Sequence, residues 1–354
     1  LDVNTLNKIS DAYDDQLEGR ADMVKFYYQL QVNVMRQKLV GTIVIGKDNV
    51  LFNKPFSTSN QKKYLNNVKT GAELINEVAE KAKQYGTKVI VVDVPRRDVN
   101  LESYVPSWYI SAVDFYEACI DVQREALNDD IAVIDVNRLF HENAGADTVL
   151  YWYYNDHHIN AIGNDLILSE IIKLVQEDYP EVTQKRLEDY DIEYTQVYGA
   201  LNRKIGLAAS APDEPLWMTP KGWEISYTRS DNGKESKEPV LRKIDERQKR
   251  TYSETYMGDN FGETIVDTDR DSLPSIFFCG SSFTNALEAL SVPSFDNMYS
   301  VDFRYNTTTK DINDYIAQWQ PEYVVLIPGQ STATFNLKHL KTHLGYLKED
   351  IDYD

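Results

Sequence analysis

"SIFFCGSSFTNALEAL", residues 275–290, decides how this chain is read. Ile276–Cys279 is apolar without a break, as a strand buried on both faces of a parallel sheet is. Gly280-Ser281-Ser282 interrupts the run, and the apolar residues after it return at helical spacing. Such a hinge is either a tight turn or the support for a nucleophilic hydroxyl. The second reading needs a base from another part of the chain.

The same rhythm continues outward. Downstream come a strand at "MYSVDF", a helix at "KDINDYIAQW", a strand at "EYVVLI" and the turn "PGQS". Far upstream, "GTIVIG" reads as a short strand, and "GAELINEVAEKAKQYG" has Leu74, Ile75, Val78 and Ala82 at helical spacing before Gly86. "KVIVVDVP" is a β-branched run suited to a buried strand. A helix around "ISAVDFYEACIDVQREAL", a strand at "IAVIDV" and a helix at "IGNDLILSEIIKLVQ" follow. Alternating strands and helices on both sides of a polar stretch predict one α/β domain with a parallel sheet flanked by helices. The predicted layout is a helical lead-in over 1–40, a first half over 41–177, an insertion of short strands and loops over 178–265, and a second half over 266–354. The insertion is charged and weakly periodic, with Trp217, Trp223 and Tyr227 scattered through it.

Composition narrows the partners. The 354 residues carry 37 Lys+Arg against 56 Asp+Glu, a net charge of −19, which disfavours nucleic acid and anionic lipid surfaces. Hydrophobic content of 42% with 26% charged residues is that of a folded chain. Cys119 and Cys279 both lie in apolar stretches and read as core. The sequence starts at Leu1 without a recognisable signal peptide, and a removed anchor or signal segment is the expectation.

In open α/β sheets, ligands bind beyond the carboxyl ends of the strands. Candidate chemistry therefore lies in "VPRRD" after 88–94, in the Ser turn, and in "PGQS". A further segment, "YYNDHHINAIG", leads into a helix and holds Asp156, His157 and His158. A serine hydroxyl is protonated at neutral pH, so it needs an imidazole within hydrogen-bond reach, oriented by a carboxylate. Of five histidines, only His157 and His158 adjoin one another, directly after an aspartate. An Asp-His-His cluster is also a partial zinc site, but no second His/Cys cluster at metal spacing accompanies it, and no metal is expected. His339 and His343, on a basic and exposed C-terminal helix, are expected to be solvated.

These segments resemble the bacterial DHHW proteins and the alginate O-acetyltransferases, a permuted branch of the SGNH (GDSL-like) hydrolase superfamily. "LYWYYNDHHINAIGNDL" is similar to their Asp-x-His segment. "GTIVIGKDNVLF", "VIVVDVPRRDVNLESYVP", "YMGDNF", "IFFCGSSFTNAL", "YSVDFRYN" and "PEYVVLIPG" follow in the family's order. The resemblance covers most of 40–176 and 250–335 and implies an SGNH-hydrolase-like fold. It implies Ser282 as nucleophile, His158 as general base, Asp156 as its orienting carboxylate, and Arg304, with Tyr305 beside it, near the substrate. Ser281 stands where relatives carry aspartate, and Ile159 where the family name has tryptophan. The Ser282 backbone N–H and Gln330 are candidate oxyanion donors, and Arg96 and Arg97 candidates for a basic groove. The implied activity is O-acetylation of an exported polysaccharide, outside the cytoplasm and without a cofactor. The acetyl donor is open, with a membrane acyl carrier protein as one candidate. An acetylesterase of the same fold and a non-catalytic glycan-binding or scaffold protein stand as alternatives.

Overall fold

The computed structural model describes residues 19–55, 60–194, 198–209, 213, 216–242, 255–327 and 337–347. Its main sheet has eight strands. Five are parallel neighbours in the order β5 (Ala132–Asp135), β4 (Lys88–Asp93), β13 (Tyr323–Ile327), β11 (Ile276–Gly280) and β12 (Asn297–Val301). Beyond β12, the antiparallel strands β10 (Glu263–Asp267), β8 (Thr228–Asp231) and β9 (Lys234–Glu235) extend the edge. This is an α/β fold with a mostly parallel central sheet. Two smaller sheets stand apart: β1 (Leu39–Val40), β2 (Ile43–Ile45) and β3 (Leu51–Asn53) form one, and β6 (Tyr190–Tyr194) with β7 (Leu216–Pro220) the other. "GTIVIG" thus forms a strand, but in an antiparallel meander beside the main sheet.

The unbroken apolar runs follow from burial on both faces. Ile276 and Phe278 of β11 face one core with Ile90, Val92, Val325 and Ile327. Phe277 and Cys279 face the opposite core with Val89, Val91, Val324 and Leu326. Side chains alternate across a strand, so a strand with a core on each side carries no polar register. The first face is covered by helices at Val136–Ala144, Ala161–Val175 and Asn285–Ser291, and the second by Gln61–Ala82, Ile312–Trp319 and Leu337–His343. On Gln61–Ala82, Ile75, Val78 and Ala82 are buried and Leu74 packs partly buried against them. Cys119 and Cys279 are buried free thiols.

The polar segment after residue 178 is woven into this architecture, since β8, β9 and most of β10 come from it. At the other end, Arg20–Gln29 is helical and leads into a single π-helical stretch, Leu30–Val34. His343, expected in solvent, is 1% exposed, because its short helix lies against the sheet with Leu340 and Leu344 turned inward. No helix among the described residues is long and apolar enough to cross a membrane.

Candidate active site

Strand β11 ends at Gly280, where the chain passes so close to β13 that an added Cβ would lie 2.2 Å from the Ile327 carbonyl oxygen. The turn that follows is tied by Thr284, whose backbone N–H and hydroxyl both reach the Ser281 carbonyl at 2.9 Å. A short helix, Asn285–Ser291, then carries the chain away. The Ser282 hydroxyl is thereby left half-buried at the carboxyl end of the sheet. Asn285 donates to Asn260 of "YMGDNF" at 2.8 Å, which joins that segment to the turn.

The Asp-His-His segment reaches the same place through a loop closed at its base by a bridge between Trp152 and Ile159. Trp152 is anchored by its indole N–H on Asn100 at 2.7 Å. Asn160 caps the outgoing helix by accepting from the Ile162 and Gly163 backbone. Between these anchors, His158 Nε2 lies 2.8 Å from Ser282 Oγ, and His158 Nδ1 lies 2.6 Å from Asp156 Oδ1. Phe283 packs against the His158 ring at 4.9 Å between centroids and limits its swing.

Asp156 is held from several sides. Its Oδ1 also accepts the His158 backbone N–H at 3.1 Å, and its Oδ2 accepts the Ala200 N–H at 2.7 Å. Burial works against its charge, yet His158, His157 and the Ala200 amide together keep the carboxyl well below the ordinary carboxylate range. His157 packs against His158 at 4.0 Å between centroids, the rings tilted by 36°. Burial and the neighbouring His158 push its imidazole below the ordinary histidine range.

A hydroxyl, an imidazole and a buried carboxylate in line can pass a proton from oxygen to nitrogen while the carboxylate supports the resulting imidazolium. Asp156, His157 and His158 also place one ligand atom each within 4.8 Å of one another, the one such group among the described residues. Asp156 and His158 are already hydrogen-bonded to each other there, and a structural zinc site takes four ligands.

The other residues singled out in the sequence fall in different surroundings. Arg97 is buried, with Nη2 on the Tyr154 carbonyl at 3.0 Å and Nη1 on the Asp156 carbonyl. Its guanidinium therefore grips the His-bearing loop. Arg96 is tied to Asp98 at 2.8 Å. Arg304 forks onto Asp302 and lies over the half-exposed Tyr305 ring at 5.3 Å. Ser281 is buried and its hydroxyl has no partner among the described residues. Gln330 lies outside the described residues. Sequence reasoning missed Ala200 and Asp213, which act on the loop through backbone amides.

Fold and site together define the class: an SGNH-hydrolase-like α/β domain with a Ser-His-Asp cluster at the carboxyl edge of its sheet. The family described as SGNH hydrolase-like domain, acetyltransferase AlgX, matches residues 43–235, more than half of the chain, and the chain belongs to that family. Several solved structures share the fold, two of them as follows. PatB1 from Bacillus cereus, solved with a sulfonyl adduct, is 17% identical at a TM-score of 0.68, over 85% of this chain and 99% of that one. A DHHW family protein from Eubacterium siraeum is 17% identical at a TM-score of 0.63, over 85% of this chain and 95% of that one. No match was found among curated proteins.

Proposed function

We propose that this protein is a serine-dependent O-acetyltransferase that acetylates hydroxyl groups of an exported polysaccharide outside the cytoplasm. Membership in an acetyltransferase family supports the reaction class. The observation that carries the mechanism is the line of contacts from Ser282 Oγ through His158 to Asp156, 2.8 and 2.6 Å long.

Ser282 Oγ attacks the acetyl carbonyl of the donor as its proton passes to His158 Nε2. Asp156, accepting from Nδ1, stabilises the imidazolium. We assign the Ser282 backbone N–H as a donor to the oxyanion. Collapse of the tetrahedral intermediate breaks the bond to the donor's leaving group, which takes the proton from His158, and an acetyl ester on Ser282 remains. A sugar hydroxyl then gives its proton to His158 and attacks that ester. Ser282 Oγ departs, recovers the proton, and the acetylated sugar is released.

The test is incubation with a chromogenic acetyl ester, with and without a neutral oligosaccharide, followed by mass spectrometry of the sugar. Donor turnover with acetylated sugar is expected, and Ser282→Ala should lower kcat about a thousandfold. Ester turnover that never acetylates sugar would assign an esterase instead. Full turnover by Ser282→Ala would remove the serine from the mechanism.

A further inference from the structure

The loop that carries His158 has two backbone N–H groups, at Tyr154 and Asn155, that turn inward; Asn155 is fully buried. Buried amides need acceptors. Both are met by one side chain from the polar segment: Asp213 Oδ1 accepts from Tyr154 N–H at 2.6 Å, and Oδ2 from Asn155 N–H at 2.9 Å. The carbonyls of Tyr154 and Asp156 are met in turn by the two terminal nitrogens of Arg97. A carboxylate thus holds two backbone N–H groups, and a guanidinium two carbonyls, of one three-residue stretch. Asp213 and Arg97 are 7% and 4% exposed, and each lies in the other's field.

The same region makes further contacts with this stretch. The Asn155 side chain accepts the Gly199 N–H at 2.5 Å, and Asn202 N–H donates to the Asn155 carbonyl at 3.2 Å. Gly199 has room for no more, since a Cβ there would lie 2.3 Å from the Asn155 carbonyl oxygen. Both carboxylate oxygens of Asp213 are directed at the two positions before Asp156. A side chain that fixes those amides sets where the Asp156 carboxylate, and through it the imidazole, can point. Proton transfer between Ser282 and His158 is sensitive to displacements of about 1 Å, which can cost a hundredfold in rate.

We propose that Asp213, acting with Arg97, is a positioning residue for the base: it clamps Tyr154–Asp156 so that His158 meets Ser282. The inference rests on the Ser-His-Asp reading above and gives the polar segment a part in catalysis. Asp213→Asn keeps the size but leaves one oxygen for two donors and turns an NH2 toward a backbone N–H.

The test compares Asp213→Asn, His158→Ala and the double variant in the full chain, on a chromogenic acetyl ester. Asp213→Asn should lower kcat about 10- to 100-fold with KM within about threefold. In the His158→Ala background it should cost nothing further, because a residue acting through the base has nothing left to position. Unchanged kcat in Asp213→Asn, or losses that multiply in the double variant, would overturn the inference while leaving the base in place. Full turnover by His158→Ala alone would overturn the Ser-His-Asp reading itself. Should Asp213→Asn fail to fold, Arg97→Lys carries the same test, since it keeps the charge and loses the two-pronged grip on the carbonyls. It should show the same fall in kcat at near-constant KM, and full kcat would overturn the clamp.

Discussion

A methyl group on Gly280 would come within 2.2 Å of the Ile327 carbonyl oxygen and 2.8 Å of the Thr284 side-chain methyl. Both neighbours belong to the frame that holds Ser282, so the strand or the turn would have to shift to make room. Gly280→Ala should therefore lower stability by about 1–3 kcal/mol and ester turnover at least tenfold. Thermal unfolding and steady-state rates check this together. A stable variant with wild-type turnover would show that the close approach is not what sets the serine. This glycine was visible in the sequence because it breaks an apolar run, and Asp156, His158 and Ser282 were visible because carboxylate, imidazole and hydroxyl side chains are the types that acid–base and nucleophilic chemistry uses. Asp213 was not. It is one of 56 acidic residues, and what it binds is backbone, which has no side-chain signature.

Among the elements, the strands of the parallel sheet were the most legible, because a core on each face demands apolar residues along Val89–Val92 of β4, Ile276–Cys279 of β11 and Val324–Ile327 of β13. The burial of the helix Leu337–His343 was the least. At seven residues it is too short for an inward face to declare itself, and Lys338, His339 and Lys341 gave it a solvated look. Its inward face instead sets Leu340 against the core and the His343 carbonyl on the Cys279 thiol at 3.2 Å. Burial pushes the His343 imidazole down to about 3, Arg304 and His339 add to that, and the Gly280 backbone pulls the other way. The folded chain keeps this ring neutral while the unfolded chain protonates it below its ordinary 6.5. Stability is consequently present above 6.5 and lost as the pH falls, by about 2 kcal/mol at pH 5. Urea unfolding at pH 7 and pH 5 should show the wild type losing that much more than His343→Gln, which cannot titrate. Equal losses in the two proteins would place the acid sensitivity elsewhere.

For the molecule as a whole, charge and architecture meet at the carboxyl edge of the sheet. The polar segment looked separable in sequence because its strands are short and its periodicity weak. It nevertheless supplies sheet edge through β8 and β9 and loop contacts through Gly199, Ala200 and Asp213. Long-range pairings of this kind depend on where distant strands come to lie, which local pattern does not encode. The same edge buries Asp93, whose neighbour across the sheet is Asp135. Burial, then Asp135, pushes the Asp93 carboxyl up to about 7, against the pull of Arg124 and Gln123. A carboxyl raised in the folded state holds its proton more tightly there than in the unfolded chain. It contributes stability that is full below its ordinary 3.8 and is lost as the pH rises through 7. Between pH 5 and pH 8 that loss amounts to about 3 kcal/mol. Self-repulsion from a net charge of −19 also grows over this range, but it acts almost equally on a neutral isostere and drops out of the difference. Asp93→Asn should therefore gain on the wild type steadily from pH 5 to pH 8 in denaturant midpoints at constant ionic strength. A difference that stays flat across that window would mean that the carboxyl titrates in its ordinary range and that the paired aspartates are solvated in the folded protein.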